Sequence, residues 1–353
     1  MALEQSIAHR APYPGADCPL GDFATERGGL LPRAILHYRI LGDPRVGPAA
    51  GWTLLFHDLL GSADADRWWS EAVGPGRAID PAVRPVLVPN LLGSCFGSTG
   101  PAGPGRVPEP FPELTPADLA RACVLLVERL EIGRIVLAGG IGLGGMVALE
   151  WGRRSPVRVD HLVVIAAPAA SSPQTIAWHA AQRLAIESHP AGLAAAHALT
   201  VALARSPSEL LARFGRLHSA GGEFAVEGFL RHEARAALAR FAPASYLTLL
   251  RAMDLHDMGD MGDAARATAE RVGRITGVGL STDFIVPPAE VRAWVRAYRA
   301  AGTAAEYYEL ASLHGHDAAT LDADQLAPVL ATPGSSPARA PDSRDGDGSA
   351  PSP

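Results

Sequence analysis

Lysine does not occur in this 353-residue sequence, so all 31 of its basic residues are arginine. That absence excludes an aldimine-forming lysine, and with it pyridoxal chemistry, as well as a lysine general base. Cysteine is scarce. Cys18, Cys95 and Cys123 are too few and too irregularly spaced for a disulfide framework or a zinc knuckle, and they suit a reducing compartment. Long apolar runs are missing as well: stretches such as 134–138 and 161–167 fall far short of the roughly 20 residues that span a bilayer. There is no excess of positive charge. A net charge of −6 offers no basic face to nucleic acid or an anionic membrane, so neither is an expected partner. The opening run MALEQSIAHR lacks the apolar stretch of a signal peptide, and the expected location is the cytoplasm.

What is present is ample material for a core, because 48% of residues are apolar and only 19% are charged. Strand-like and helical runs alternate from about Ala34 to Ala167, the pattern of a mostly parallel, doubly wound α/β sheet. Short apolar runs at 53–57, 85–89 and 134–138 read as strands. Residues 115–130 read as a helix opened by a Thr-Pro-Ala-Asp start signal. Residues 172–263 change to alanine-, leucine- and arginine-rich helices without convincing strands, as expected of a helical lid inserted over the sheet. Strand character resumes at 274–280, a helix follows over 289–301, and 305–311 reads as a last strand. The expected organisation is an N-terminal extension (1–30), a core (31–171 and 264–331), a lid (172–263) and a tail (332–353) too poor in apolar residues to pack.

The glycine-rich turn Gly140-Ile141-Gly142-Leu143-Gly144, between a strand and a helix, has the form of a nucleophile elbow, in which G-x-S-x-G lifts a strained residue above the sheet. Its middle residue has no side chain. A dinucleotide-binding turn is the competing reading, but the acidic residue it needs at the end of the next strand is not there. Asp283 and His316 follow in the chain order of an α/β-hydrolase triad, acid before base.

GIGLGGMVALEW (140–151) resembles the elbow of the homoserine O-acetyltransferase family, G-x-S-x-G-G-M-x-A-L-E-W, with Gly142 in place of the nucleophilic serine. Further stretches resemble that family in the same order: GPGRAID (74–80), NLLGSCFGSTGP (90–101), RFGR (213–216), SYLTLLRAMDLHD (245–257), STDFIVPP (281–288) and GHDA (315–318). The likeness runs from about Leu31 to Leu330. It implies an α/β-hydrolase fold, Asp283 as triad acid and His316 as base. Leu59, in His57-Asp58-Leu59-Leu60-Gly61, and Leu143 would be the oxyanion-hole amides. It also implies Arg205 as the guanidinium that holds an amino acid's carboxylate and Asp317 as the partner of its ammonium. Ala204 stands where the family has tyrosine, and Asp58 is a departure that would oppose charge developing in the oxyanion hole.

The family reaction is a ping-pong acyl transfer from acyl-CoA to an amino-acid hydroxyl, of the methionine-biosynthesis type, without a bound cofactor or metal, in a protein that is often a homodimer. Gly142 cannot form the seryl ester. The expectation is therefore that ordinary catalysis is lost. Two alternatives stay open: a non-catalytic binding or regulatory homologue, and a direct ternary-complex transfer with His316 as base. Gly142→Ser is expected to put a nucleophile into a turn already shaped for it, facing His316 across open space.

Overall fold

The computed structural model describes residues 15–107, 110–219 and 221–332; the tail expected at 332–353 therefore lies almost wholly outside the described residues. Eight strands form one sheet: β1 (Ala16–Ala24), β2 (Leu30–Leu41), β3 (Trp52–Phe56), β4 (Val86–Pro89), β5 (Arg134–Ile141), β6 (Arg158–Ile165), β7 (Val272–Leu280) and β8 (Ala305–Leu310). Their spatial order is β1-β2-β4-β3-β5-β6-β7-β8. The β1/β2 and β2/β4 pairs are antiparallel and all the others parallel, so the sheet is mostly parallel as expected. Strand β1 falls within the first thirty residues, read above as an extension. Its Leu20 and Phe23 are buried in the main core, so the sheet begins before Leu31.

Alternate residues of the central strands feed opposite faces. Leu54, Phe56, Leu162 and Val164 join the core on one side of the sheet, and Leu55, Leu137, Val163 and Ile165 the core on the other. Both faces are covered, which is why these strands are apolar throughout rather than alternating. Helix α1 (Pro116–Arg129) starts where the sequence signals it: the Thr115 side chain accepts from the Asp118 amide (3.2 Å), and Asp118 Oδ2 accepts from the Thr115 amide (3.1 Å). Helix α2 (Leu143–Gly152) follows β5 with Gly142 as the single connecting residue.

Between β6 and β7 come the lid helices α3 (Pro173–Ser188), α4 (Gly192–Ala204), α5 (Pro207–Phe214), α6 (Ala225–Arg240) and α7 (Pro243–Asp254), then α8 (Met261–Ala269). Serine followed by proline sets two of their starts. Ser172 and Ser206 accept from the amides three residues on, and Pro173 and Pro207 occupy first-turn positions that need no donor. Ser206 also reaches across to the Leu313 carbonyl, tying the start of α5 to the loop after β8. Helix α9 (Pro288–Ala300) completes the layer between β7 and β8. Among the described residues no helix is long and apolar enough to cross a membrane.

The β5–α2 connection is clamped by close packing. A Cβ added at Gly144 would lie 2.6 Å from the Phe56 carbonyl carbon and 2.8 Å from the His57 carbonyl oxygen, both backbone atoms that cannot swing aside. Gly144→Ala is therefore expected to cost about 1–3 kcal/mol of stability. Urea denaturation checks this, and an unchanged midpoint would show that the close approach carries no strain.

Candidate active site

Four loops meet at the carboxyl ends of the parallel strands: residues 57–61 after β3, Gly142 after β5, 281–287 after β7 and 311–317 after β8. Gly142 has φ 54° and ψ −117°, the positive-φ conformation of an elbow, which a glycine holds without the steric cost other residues meet. Beneath the lid lies a cavity of about 480 Å³ lined by Asp58, Leu59, Arg205, His316 and Asp317, among others.

Asp283 and His316 are brought together. His316 Nδ1 donates to Asp283 Oδ2 at 2.7 Å, and Asp283 Oδ1 accepts from the Ile285 and Val286 amides at 2.8 and 3.0 Å. Both carboxylate oxygens are thus engaged and the imidazole is held in one orientation. Burial alone would disfavour a charged ring here. The Asp283 carboxylate reverses that, with Asp58 and Asp317 adding to it, so His316 is raised to about 9. At neutral pH this histidine is an imidazolium.

The space expected to be open above Gly142 is filled. Asp58 Oδ1 accepts a hydrogen bond from the Leu143 amide at 2.9 Å. A Cβ at position 142 would lie 2.8 Å from Asp58 Cγ and 3.1 Å from Oδ2, with Oδ1 nearer still. The expectation that Gly142→Ser would simply restore a hydroxyl is corrected accordingly: a side chain at 142 and the Asp58 carboxylate compete for one volume. Of the two amides read as an oxyanion hole, Leu143 N–H is taken, whereas Leu59 N–H has no protein acceptor among the described residues. The loop is pinned by His57. Its Nδ1 donates to the Asp58 carbonyl at 2.8 Å, and its Nε2 accepts from the Leu91 amide at 3.0 Å, which fixes the tautomer. Burial lowers this ring to about 4 and keeps it neutral.

Arg205 lines the cavity with its charge already paired: Nε lies 2.9 Å from Asp317 Oδ2, and Nη1 lies 2.7 Å from Glu209 Oε1. Glu209 was not singled out in the sequence, although it stands three residues after the capping Ser206, the spacing that turns an acidic side chain back towards a helix start. A second imidazole on the cavity wall was also missed. His179 Nδ1 bonds Asp254 Oδ1 at 2.7 Å, and Arg183 bonds the other oxygen of the same buried carboxylate. Its sequence neighbourhood carries no motif, and the pair forms only when α3 and α7 pack together.

Strand order, elbow and the His316–Asp283 pair at these strand ends define an α/β-hydrolase fold. The chain belongs to the homoserine O-acetyltransferase family within that fold. It is 37% identical over 347 residues to homoserine O-acetyltransferase of Thermus thermophilus, covering 87% of this chain and 88% of that one. The Moorella thermoacetica enzyme of the same name is 35% identical, with 86% and 91% covered. Among solved structures, homoserine O-acetyltransferase of Staphylococcus aureus superposes with a TM-score of 0.76 at 26% identity, covering 90% and 93% of the two chains. Esterase E22 superposes with a TM-score of 0.77 at 19% identity, covering 89% and 98%, and shares the fold. No protein-family model matches the chain.

The imidazolium has a consequence for stability. His316 is raised from 6.5 to about 9, so its ion pairs contribute in full below pH 6.5 and are lost as pH climbs through 9. The stability difference between wild type and His316→Gln should therefore shrink between those pH values. Urea midpoints of both proteins at the two ends of the range measure it; a difference independent of pH would mean that folding leaves this ring at its ordinary pKa.

Proposed function

We propose that this protein is a homoserine O-acetyltransferase-like chain that keeps the amino-acid end of the family's pocket but no longer transfers an acyl group through a seryl ester. The observation that carries this reading is the Asp58 carboxylate, lodged where a serine at 142 would project and bonded to the Leu143 amide. Two changes, rather than one, stand between this site and a seryl acyl-enzyme.

In this reading the ligands are a small amino acid with a side-chain hydroxyl and an acyl-CoA, as membership of the family implies. Arg205 retains Nη2 without a carboxylate partner among the described residues, and that nitrogen would receive the ligand's carboxylate. Asp317 would meet the ammonium. Asp283 orients His316, and Leu59 and Leu143 mark the oxyanion position. A homodimer in the cytoplasm, with no bound cofactor, belongs to the same proposal. Its alternative form is a pseudoenzyme, a non-catalytic binding or regulatory homologue in methionine biosynthesis.

The intact Asp283–His316 pair favours a second reading, direct transfer in a ternary complex with His316 as base. That route needs the neutral imidazole, so its rate would rise towards pH 9 rather than level off near neutrality.

Incubation of the purified chain with acetyl-CoA or succinyl-CoA and homoserine or serine, followed by intact-mass measurement, should show no ester-linked acyl group. Gly142→Ser alone should also stay unmodified. The double variant Gly142→Ser/Asp58→Ala should gain one acyl group at the substituted position, because it both supplies the hydroxyl and frees the Leu143 amide. A stable acyl ester on a serine of the wild type would sink the reading. Calorimetry should show homoserine binding that Arg205→Ala abolishes.

A further inference from the structure

The carboxylate that displaces the serine's volume is not a loose surface group. Asp58 is half-buried, and its carbonyl is held by two contacts: the His57 ring donates to it at 2.8 Å and the Gly61 amide donates to the same oxygen at 2.8 Å, while the Leu91 amide fixes the far side of the His57 ring. Its Oδ1 is anchored on the Leu143 amide. Its Oδ2 has no protein partner among the described residues, and the side chain forms part of the cavity wall that also carries His316. One oxygen is therefore fixed at the elbow while the other is left for a ligand.

We propose that Asp58 serves as a replacement nucleophile, a carboxylate supplied by the loop after β3 in place of the hydroxyl supplied by the elbow. The proposal rests on the reading above that the donor is an acyl thioester. A carboxylate is nucleophilic without losing a proton, so it needs no general base for the first step, unlike a serine. Oδ2 attacks the thioester carbonyl, the C–S bond breaks, and the thiolate leaves with the proton of the His316 imidazolium. The product is a mixed anhydride between the acyl group and Asp58. Neutral His316 then takes the proton of an acceptor hydroxyl as that oxygen attacks the acyl carbon. The acyl C–O bond to Asp58 breaks, and the carboxylate and the imidazolium are both regenerated. Leu59 N–H, which has no internal acceptor, is the donor left for the carbonyl oxygen in each tetrahedral adduct.

His316 enters this cycle protonated, the state its three neighbouring carboxylates impose at neutral pH. The same proton that hinders a serine mechanism is what the departing thiolate requires. An anhydride is more reactive than a thioester, so it is consumed as it forms and must be trapped to be seen.

The test is to incubate the full chain with acetyl-CoA in the presence of hydroxylamine, follow thiol release, and map peptides by mass. An anhydride partitions to give a hydroxamate on the Asp58 side chain as well as free acetohydroxamate. Wild type should release thiol faster than hydroxylamine alone cleaves acetyl-CoA, the protein-free rate being subtracted throughout, and carry the hydroxamate on the peptide containing Asp58. Asp58→Asn, which keeps the shape and can still accept from the Leu143 amide, should lose the mark and slow thiol release by on the order of a thousandfold or more. Thiol release that persists at the wild-type rate in Asp58→Asn overturns the proposal and assigns the attack to the acceptor itself. Saturable acetyl-CoA binding to wild type with no thiol release and no mark also overturns it, leaving Asp58 as a plug and the proposed loss of the seryl route intact. An acetyl ester on a serine would instead overturn that underlying reading.

Discussion

The hydrogen bond from the Leu143 amide to the Asp58 carboxylate is the contact on which the rest of the site depends. Leu143 opens α2, so its N–H points outward from the positive end of a ten-residue helix, a place that stabilises an anion. In an esterolytic elbow that donor waits for charge to develop on a substrate oxygen. Here a resident carboxylate already satisfies it. The residues at 58 and 142 are thus one structural feature. Asp58 can occupy this volume because Gly142 has no Cβ, and with Asp58 in place a Cβ at 142 has no room.

The charge spreads outward from that contact. Asp58, Asp283 and Asp317 all act on His316, and Asp317 in turn pairs with Arg205, whose guanidinium is shared with Glu209. Opposite charges alternate along the cavity wall from the elbow to the start of α5. Such a chain is coupled: removing the negative charge of Asp58 lowers His316 towards its ordinary value, and Asp317 feels both groups, Asp58 raising it and His316 lowering it. Asp317 is itself pushed up by burial and pulled down by Arg205 and His316, so it gains a proton more easily once His316 becomes neutral. The protonation of His316 and the charge state of Asp317 beside Arg205 are therefore not separable properties of this chain.

The parallel strands and the elbow were readable because their signals are local. Buried apolar runs mark strands covered on both faces, Thr115 and Ser172 mark helix starts, and a glycine-rich turn between strand and helix admits few backbone shapes. Asp283 and His316 were readable from their order and flanking motifs. The position of Asp58 was not. Its identity was visible as a departure, but which way a loop carboxylate turns depends on the His57 ring beneath it and on the empty place at 142, contacts separated by 85 residues. The same reason hides Asp254 opposite His179, 75 residues away. Strand β1 escaped for a different cause: Cys18, Leu20 and Phe23 are its only buried apolar positions, set among exposed alanine, aspartate, proline and glycine, a weak pattern until Leu31 and Leu36 of β2 supply the other half of the core.

The clamping glycines explain how the elbow keeps its shape with no side chain at 142. Gly140 and Gly144 are demanded by backbone atoms that approach from β3 and α2, and neither contact involves the residue at 142. Packing of the sheet against α2 holds the turn and the outward-pointing Leu143 amide without any side chain at 142. The helix N-terminus then remains an anion site whatever stands at 142, and a site of that kind beneath a buried lid is costly to leave empty of charge or water. A carboxylate from the adjacent loop is a physically cheap occupant: it satisfies the amide, neutralises part of the His316 charge, and needs no movement of the fold. The motif likeness around the elbow thus reports on packing, while the Asp58 carboxylate fills the volume that a side chain at 142 would need.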